Sequence, residues 1–341
     1  MKPSSVVVRR RPAMAHPLRT AVSRLVAALF LAAIWACGPG GRDTPGRATG
    51  GPEGAGVAPS LERFTVDSDG HPMAVWARIP EAPRAVILLL HGRTWSSLPD
   101  FDLQIEGEEL SLMSALAAEG IATYALDARG YGETPRTEDG WLNPDRMAED
   151  VHNVLLWITD RHPDHPAPAV MGWSFGSTTA HLFAQRWPEA TSGVALFGYW
   201  KDPATEIEEA GDPTEPARSP TTAEAAASDF IVEGAISRRA VDAFVAAALE
   251  ADPVRVDIRR VWEFNALSPD SLTVPTLVLQ GEFDPIAPTE TQDRLFTGLA
   301  TGHRSWVVLP GCDHAAHLER CRSRFVRTLS GFVKEVASRQ P

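Results

Sequence analysis

The chain has 341 residues, 44% apolar, 22% charged and 8% aromatic, which suits one large domain with an insertion or two domains and excludes disordered, collagen-like and disulfide-dense classes. Its formal charge is −12 and it has no basic run beyond residue 24, so no nucleic-acid partner is expected. It has three cysteines, and neither Cys-x-x-Cys nor His-Glu-x-x-His occurs; no metal and no cofactor is therefore expected.

In chain order, Lys2, Arg9, Arg10, Arg11, Arg19 and Arg24 precede an uninterrupted apolar run from Leu25 to Ala36. That run falls short of the roughly 20 residues that span a bilayer, and a basic start followed by a short apolar core marks a signal peptide over residues 1–36. The stretch Ile34-Trp35-Ala36-Cys37 resembles the processing box of bacterial lipoproteins, although Trp35 stands where that family usually has a small residue. The resemblance implies lipid attachment at Cys37 and a cell-envelope lipoprotein; a secreted or periplasmic protein is the alternative. Residues 38–59 hold eight Gly and four Pro, so 37–59 reads as a lipidated Cys followed by a flexible tether. Removing residues 1–36 takes away six basic residues and no acidic ones, so any membrane contact is expected through the lipid anchor alone. Cys312 and Cys321 would then lie in a compartment that permits disulfides, and they are read either as a bridge or as two buried thiols.

From residue 60 the pattern alternates. Strands are predicted at Met73–Ile79, Ala85–Leu90, Ile121–Leu126, Ala167–Gly172, Gly193–Phe197, Pro275–Leu279 and Ser305–Leu309, mostly continuous apolar runs that suit a parallel sheet covered on both faces. Helices are predicted at Glu108–Glu119, Phe175–Arg186, Glu290–Leu299 and Ala315–Val336. Another starts with Asn143 as N-cap and Pro144 at its first position, and places Met147, Val151, Val154, Leu155 and Ile158 on one stripe. Strand and helix in alternation make an α/β fold with a doubly wound, mostly parallel sheet over residues 60–200 and 271–341. Residues 201–270 interrupt it with a Pro-rich acidic stretch and a helical segment, Ala223–Ala251, and nothing there looks like a strand. This is read as an inserted helical cap over the carboxyl edge of the sheet, where ligands bind in such folds. Its 15 acidic and 7 basic residues form either a solvated face or a mouth that favours neutral or cationic substrates over anions.

The chemistry centres on Gly172-Trp173-Ser174-Phe175-Gly176, directly after a predicted strand and before a predicted helix. A serine on such a turn sits in strained backbone with its hydroxyl raised above the sheet, and glycines two residues away on either side relieve the clash. A serine hydroxyl needs a base and a group to orient that base. Asp284 and His314 stand just past two predicted strands, at the same sheet edge as Ser174. His314 is assigned as general base and acid and Asp284 as the residue that orients it, with His317 the rival base and Glu282 or Asp202 the rival acid. The backbone amides of Phe175 and Arg93 are assigned to the oxyanion hole, and Trp95 and Trp173 to the substrate pocket.

These segments, together with His91-Gly92 and Asp127-Ala128-Arg129-Gly130-Tyr131-Gly132, resemble the α/β-hydrolase superfamily of serine esterases, lipases and peptidases over roughly residues 60–341. In that family the Asp-x-Arg-Gly-x-Gly loop is mainly structural, and here Glu133-Thr134 replaces its final Ser. The resemblance implies a carboxylic-ester hydrolase acting through an acyl-enzyme on Ser174, and with the charge of the cap a neutral small-molecule ester is the expected substrate. Gly172–Ala180 is also similar to the nucleophile segment of prolyl iminopeptidases, which would use an acidic cap residue such as Glu206, Glu208 or Glu209 to hold a substrate ammonium. A non-catalytic tethered binding protein is the alternative of a different class.

Overall fold

The computed structural model describes residues 59–339. The signal peptide, Cys37 and nearly all of the tether lie outside these residues. Among the described residues, no helix is long and apolar enough to cross a membrane.

Among the described residues, ten strands and eight α-helices follow one another as β1 (Glu62–Ser68), β2 (His71–Arg78), β3 (Ala85–Leu90), α1 (Ser97–Phe101), α2 (Leu112–Ala118), β4 (Ile121–Leu126), β5 (Trp141–Leu142), α3 (Pro144–Arg161), β6 (Ala169–Trp173), α4 (Phe175–Arg186), β7 (Val194–Phe197), α5 (Ala223–Ala227), α6 (Arg238–Ala251), β8 (Asp257–Ile258), β9 (Thr276–Gly281), α7 (Thr289–Gly298), β10 (Arg304–Leu309) and α8 (Arg322–Ser338). Eight strands form one sheet in the order β1-β2-β4-β3-β6-β7-β9-β10, parallel except where β2 meets β1 and β4. This is the mostly parallel α/β sheet that the alternation predicts.

The continuous apolar runs have a direct cause. Along β3, Val86, Leu88 and Leu90 enter a core shared with Val151 and Val154 of α3 and Phe183 of α4. Ala85, Ile87 and Leu89 enter a second core shared with Leu112 and Leu116 of α2 and Phe325 and Leu329 of α8. Every residue of the strand is buried, so alternation is absent and only length and β-branching mark it as a strand. From β3 the chain runs to β4 on one side, and β6 lies on the other. The loops after β3 and β6 therefore diverge at the carboxyl edge, the crevice where open α/β sheets bind ligands.

Several expectations need correction. β1 was not predicted: its sequence, ERFTVDS, buries only Val66 and Ser68 and pairs antiparallel at the sheet's edge. The inserted segment does contain a strand, since β8 pairs in parallel with β5 in a small second sheet away from the main one. Helix α2 begins at Leu112 rather than near Glu108, because the Ser111 hydroxyl accepts the Ser114 amide as an N-cap. Helix α8 begins at Arg322 rather than Ala315, after a turn that a Cys312–Cys321 disulfide closes. Helix α3 starts at Pro144 as expected, yet Asn143 makes no side-chain cap. Glu263 of the inserted segment takes that role, accepting the Asp145 amide at 2.9 Å and the Asn143 side chain at 2.7 Å.

Residues of the inserted segment pack against loops at the carboxyl edge. Ala226 of α5 and Ala240, Phe244 and Ala248 of α6 pack on Trp95, Leu103, Leu110 and Leu318 of the main body. Asp252, at the end of α6, accepts the amides of Ser96 at 2.8 Å and Gly132 at 2.9 Å, which pins the cap to two edge loops.

Candidate active site

Ser174 joins β6 to α4 with φ 54° and ψ −116°, a left-handed conformation that a residue with a side chain rarely adopts. The flanking glycines make the turn possible. A Cβ on Gly172 would lie 2.1 Å from the Gly176 carbonyl oxygen, and one on Gly176 would lie 2.3 Å from the Leu90 carbonyl oxygen. The Ser174 amide donates to Phe197 of β7 at 2.8 Å, which anchors the elbow to the sheet. As the first residue of α4, Phe175 has an amide without an intrahelical acceptor.

After β3, the His91 ring fixes the next peptide. The Ala128 amide donates to Nε2 at 3.0 Å, so Nδ1 carries the proton and donates to the Gly92 carbonyl at 2.7 Å. Among the described residues, the Arg93 amide has no acceptor. The Asp-x-Arg-Gly loop holds this edge from below, as the family resemblance implies. Asp127 accepts from the Trp76 indole and the amides of Ser97 and Glu133, and Arg129 forms a two-pronged ion pair with buried Asp150. Thr134 takes over from the absent Ser, since its hydroxyl donates to the Asp127 carbonyl and accepts the Ala74 amide.

Asp284 and His314 meet. His314 Nδ1 lies 2.8 Å from Asp284 Oδ2, with side chains 3% and 0% exposed, so the contact is shielded from water. Asp284 Oδ1 is held separately by the amides of Ile286 at 2.9 Å and Ala287 at 3.1 Å. With Nδ1 engaged, Nε2 is the nitrogen left for the cavity. That cavity, with room for about one water molecule, is lined by Ser174, His314, Gly92, Arg93, Trp95, Trp173, Asp100 and Asp229. Among the described residues, the Ser174 hydroxyl forms no hydrogen bond with His314, although both side chains line the same cavity.

The rivals lie elsewhere. His317 is fully buried behind the site, with Nε2 2.9 Å from the Asp100 carbonyl oxygen and its ring 4.5 Å from that of Trp173, and burial pushes it down to about 3. Glu282 accepts the Gly311 amide and Asp202 pairs with Arg294. Glu206, Glu208 and Glu209 are exposed and do not line the cavity. Trp95 and Trp173 do line it, and each also holds a neighbour: the Trp173 indole donates to the His314 carbonyl at 2.7 Å, and the Trp95 indole to Asp229 at 2.8 Å.

Two acids at the cavity escape sequence reasoning. Asp100 sits in α1 with no motif around it, and Asp229 sits between the cap helices. Both are pushed up by burial, Asp229 to about 6 and Asp100 well above the usual carboxylate range. Among the described residues, one group of metal-type donors lies close together, Cys312, Glu319 and Cys321, and its two sulfurs are joined in the disulfide.

The loop that carries His314 is tied in several places. Besides the disulfide, the Phe283 amide donates to the Cys312 carbonyl, the Asp313 carboxylate accepts the Ile231 amide of the cap, and Glu319 accepts the Asp313 amide. Burial, and the Asp313 side chain beside it, push Glu319 up to about 8. The folded state thus holds a proton that the unfolded chain releases near pH 4.5, so this residue's stabilising proton is lost as pH rises toward 8. The low values of His181, about 4, and His317 act only below pH 6.5, where folding excludes a proton that the unfolded chain takes up. Between pH 6.5 and 8 the melting temperature is therefore expected to fall, and Glu319→Gln to lessen that slope without abolishing it, since Asp100 is raised as well; an unchanged slope in the variant removes the assignment.

The family described as serine aminopeptidase, S33 matches residues 81–321. A monoacylglycerol lipase of Mycolicibacterium smegmatis is 25% identical over 245 residues, covering 68% of this chain and 81% of that protein. Among solved structures, a thermophilic esterase from Thermogutta terrifontis gives a TM-score of 0.54 at 17% identity, covering 82% of this chain and 100% of that one. A proline iminopeptidase of Mycobacterium smegmatis gives 0.56 at 16% identity, covering 81% and 99%. These two likenesses concern the fold.

Proposed function

With the chain a member of the serine aminopeptidase, S33 family, we propose that it hydrolyses carboxylic esters through an acyl-enzyme on Ser174. The observation that carries this reading is the shared cavity: a serine on a strained elbow, an imidazole fixed by a buried carboxylate, and Arg93, whose amide has no acceptor among the described residues, all border it, and Phe175 follows the serine as the first residue of α4. His314 Nε2 takes the hydroxyl proton as Ser174 Oγ attacks the ester carbonyl, and the Arg93 and Phe175 amides face the oxygen on which negative charge grows. The imidazolium then protonates the departing alcohol. Water enters, gives its proton to the same nitrogen and releases the acid. The likeness to a monoacylglycerol lipase supports an ester rather than a peptide as substrate, and the acidic excess of the cap supports a neutral rather than anionic one.

Amide hydrolysis at an amino terminus is the second reading, and Asp229 is the observation that favours it, since a cap carboxyl at the cavity can face a substrate ammonium. Turnover of short p-nitrophenyl esters is expected to exceed that of proline and alanine p-nitroanilides. Anilides preferred by orders of magnitude would reverse the ranking, and no turnover of either, with no fluorophosphonate labelling, would favour a binding protein.

A further inference from the structure

Asp100 is, with Asp229, one of two cavity acids that the acyl-transfer scheme leaves unused. It is 0% exposed, its Oδ2 accepts the Gly92 amide at 3.2 Å, and its Oδ1 is buried without a hydrogen-bond partner. Among the described residues, no Arg, Lys or His pairs with its carboxyl. The charged groups around it are mostly acids: Asp229 and Asp252 from the cap and Asp127 after β4. Behind it, His317 meets only its backbone oxygen; Arg93 and His314 border the same cavity. A buried carboxylate with no cation and with acids around it is costly, whereas a carboxylic acid needs only one acceptor for its hydroxyl. With Oδ2 taken up as an acceptor, the proton belongs on Oδ1.

We propose that Asp100 is a neutral carboxylic acid in the resting protein and that its Oδ1–H is a third donor, beside the Arg93 and Phe175 amides, to the carbonyl oxygen of the bound ester. The inference rests on the ester-hydrolase reading of this cavity. It gives the unpartnered oxygen an acceptor, and it gives Gly92 a reason to be held by a side chain, because that contact fixes the peptide leading to the Arg93 amide. A carboxyl kept neutral in an apolar site so that it can donate is a known device for stabilising an oxyanion. No covalent step is added, and the proton stays on Asp100 throughout.

The experiment compares wild type with Asp100→Ala and Asp100→Asn on a short p-nitrophenyl ester across pH, with circular dichroism as the check on folding. Asparagine keeps both features, an oxygen for the Gly92 amide and an N–H for the cavity. Alanine is expected to lower kcat by roughly 100-fold with little change in KM, the scale of losing one oxyanion donor, and asparagine to stay within about tenfold of wild type. Wild type should lose activity on the alkaline side as Asp100 ionises, because the donor is present below its pKa and absent above it. Asp100→Asn should lack that limb. An alkaline limb that persists in Asp100→Asn overturns the proposal, as does an asparagine variant as slow as the alanine one. A preference for amine-bearing esters that Asp100→Asn abolishes would show an ionised Asp100 and overturn it too. If alanine does not fold, the pH profile of the asparagine variant decides alone. Ester turnover that survives Ser174→Ala would instead remove the reading of an acyl-enzyme on Ser174.

Discussion

Ser174→Ala is expected to lower ester turnover by a factor on the order of 10⁶ and to abolish labelling by a fluorophosphonate, with the fold intact. The size of the loss follows from covalent catalysis: without Oγ no acyl-enzyme forms, and only the remaining oxyanion donors and substrate binding act on water's slow attack. The fold should survive for a local reason. Serine and alanine both carry a Cβ, so both meet the same strain at φ 54°, and among the described residues the Ser174 hydroxyl makes no hydrogen bond whose loss would be felt. A melting temperature within a few degrees of wild type, beside lost turnover, is the expected pair of results. Substitution of Gly172 or Gly176 should do the reverse and damage the elbow itself, since a Cβ at either would enter the backbone at 2.1–2.3 Å. Labelling that persists in Ser174→Ala would discard the nucleophile assignment.

What could be read from the sequence followed from how local each signal is. The Gly-Trp-Ser-Phe-Gly elbow, Asp284 and His314 each stand within a few residues of an apolar strand that marks the sheet edge, so strand ends alone gave their shared location. Burial on both faces made the inner strands visible as continuous apolar runs. β1 escaped because an edge strand buries little and reads as polar, and β8 because two residues carry no periodicity. The helix starts at 108 and 315 were missed for a different reason: a serine cap at Ser111 and a disulfide at Cys312–Cys321 decided them, and neither competes openly with helical periodicity. Asp100 and Asp229 were invisible because their importance is a matter of burial across long range. Asp229 lies 134 positions from the Trp95 it holds, and no spacing rule connects them. The N-cap role assigned to Asn143 failed in the same way, since Glu263, 118 positions beyond Asp145, reaches back to supply the acceptor.

Asp284→Asn tests the remaining half of the machinery, and the structure fixes which way the new amide must turn. The Ile286 and Ala287 amides both donate to Oδ1, so an asparagine has to leave its oxygen there and place its NH₂ where Oδ2 now meets His314 Nδ1. A donor at that position forces Nδ1 to accept, which moves the ring's proton to Nε2, the nitrogen that must be bare to take the Ser174 proton. The ring has little room to escape by turning. A Cβ on Gly198, where φ is +59°, would lie 2.8 Å from its Cε1 and 3.0 Å from Nδ1, so the backbone already presses close, and the Trp173 indole holds the His314 carbonyl at 2.7 Å. With the wrong tautomer locked in, kcat near neutral pH is expected to fall by about 10⁴-fold while KM and the melting temperature change little. Neither Glu282, bound to the Gly311 amide, nor Asp202, paired with Arg294, is placed to rescue it. A variant within tenfold of wild type would mean that His314 is oriented by something other than Asp284, and the acid would then have to be sought among the groups that line the cavity, with Asp229 first.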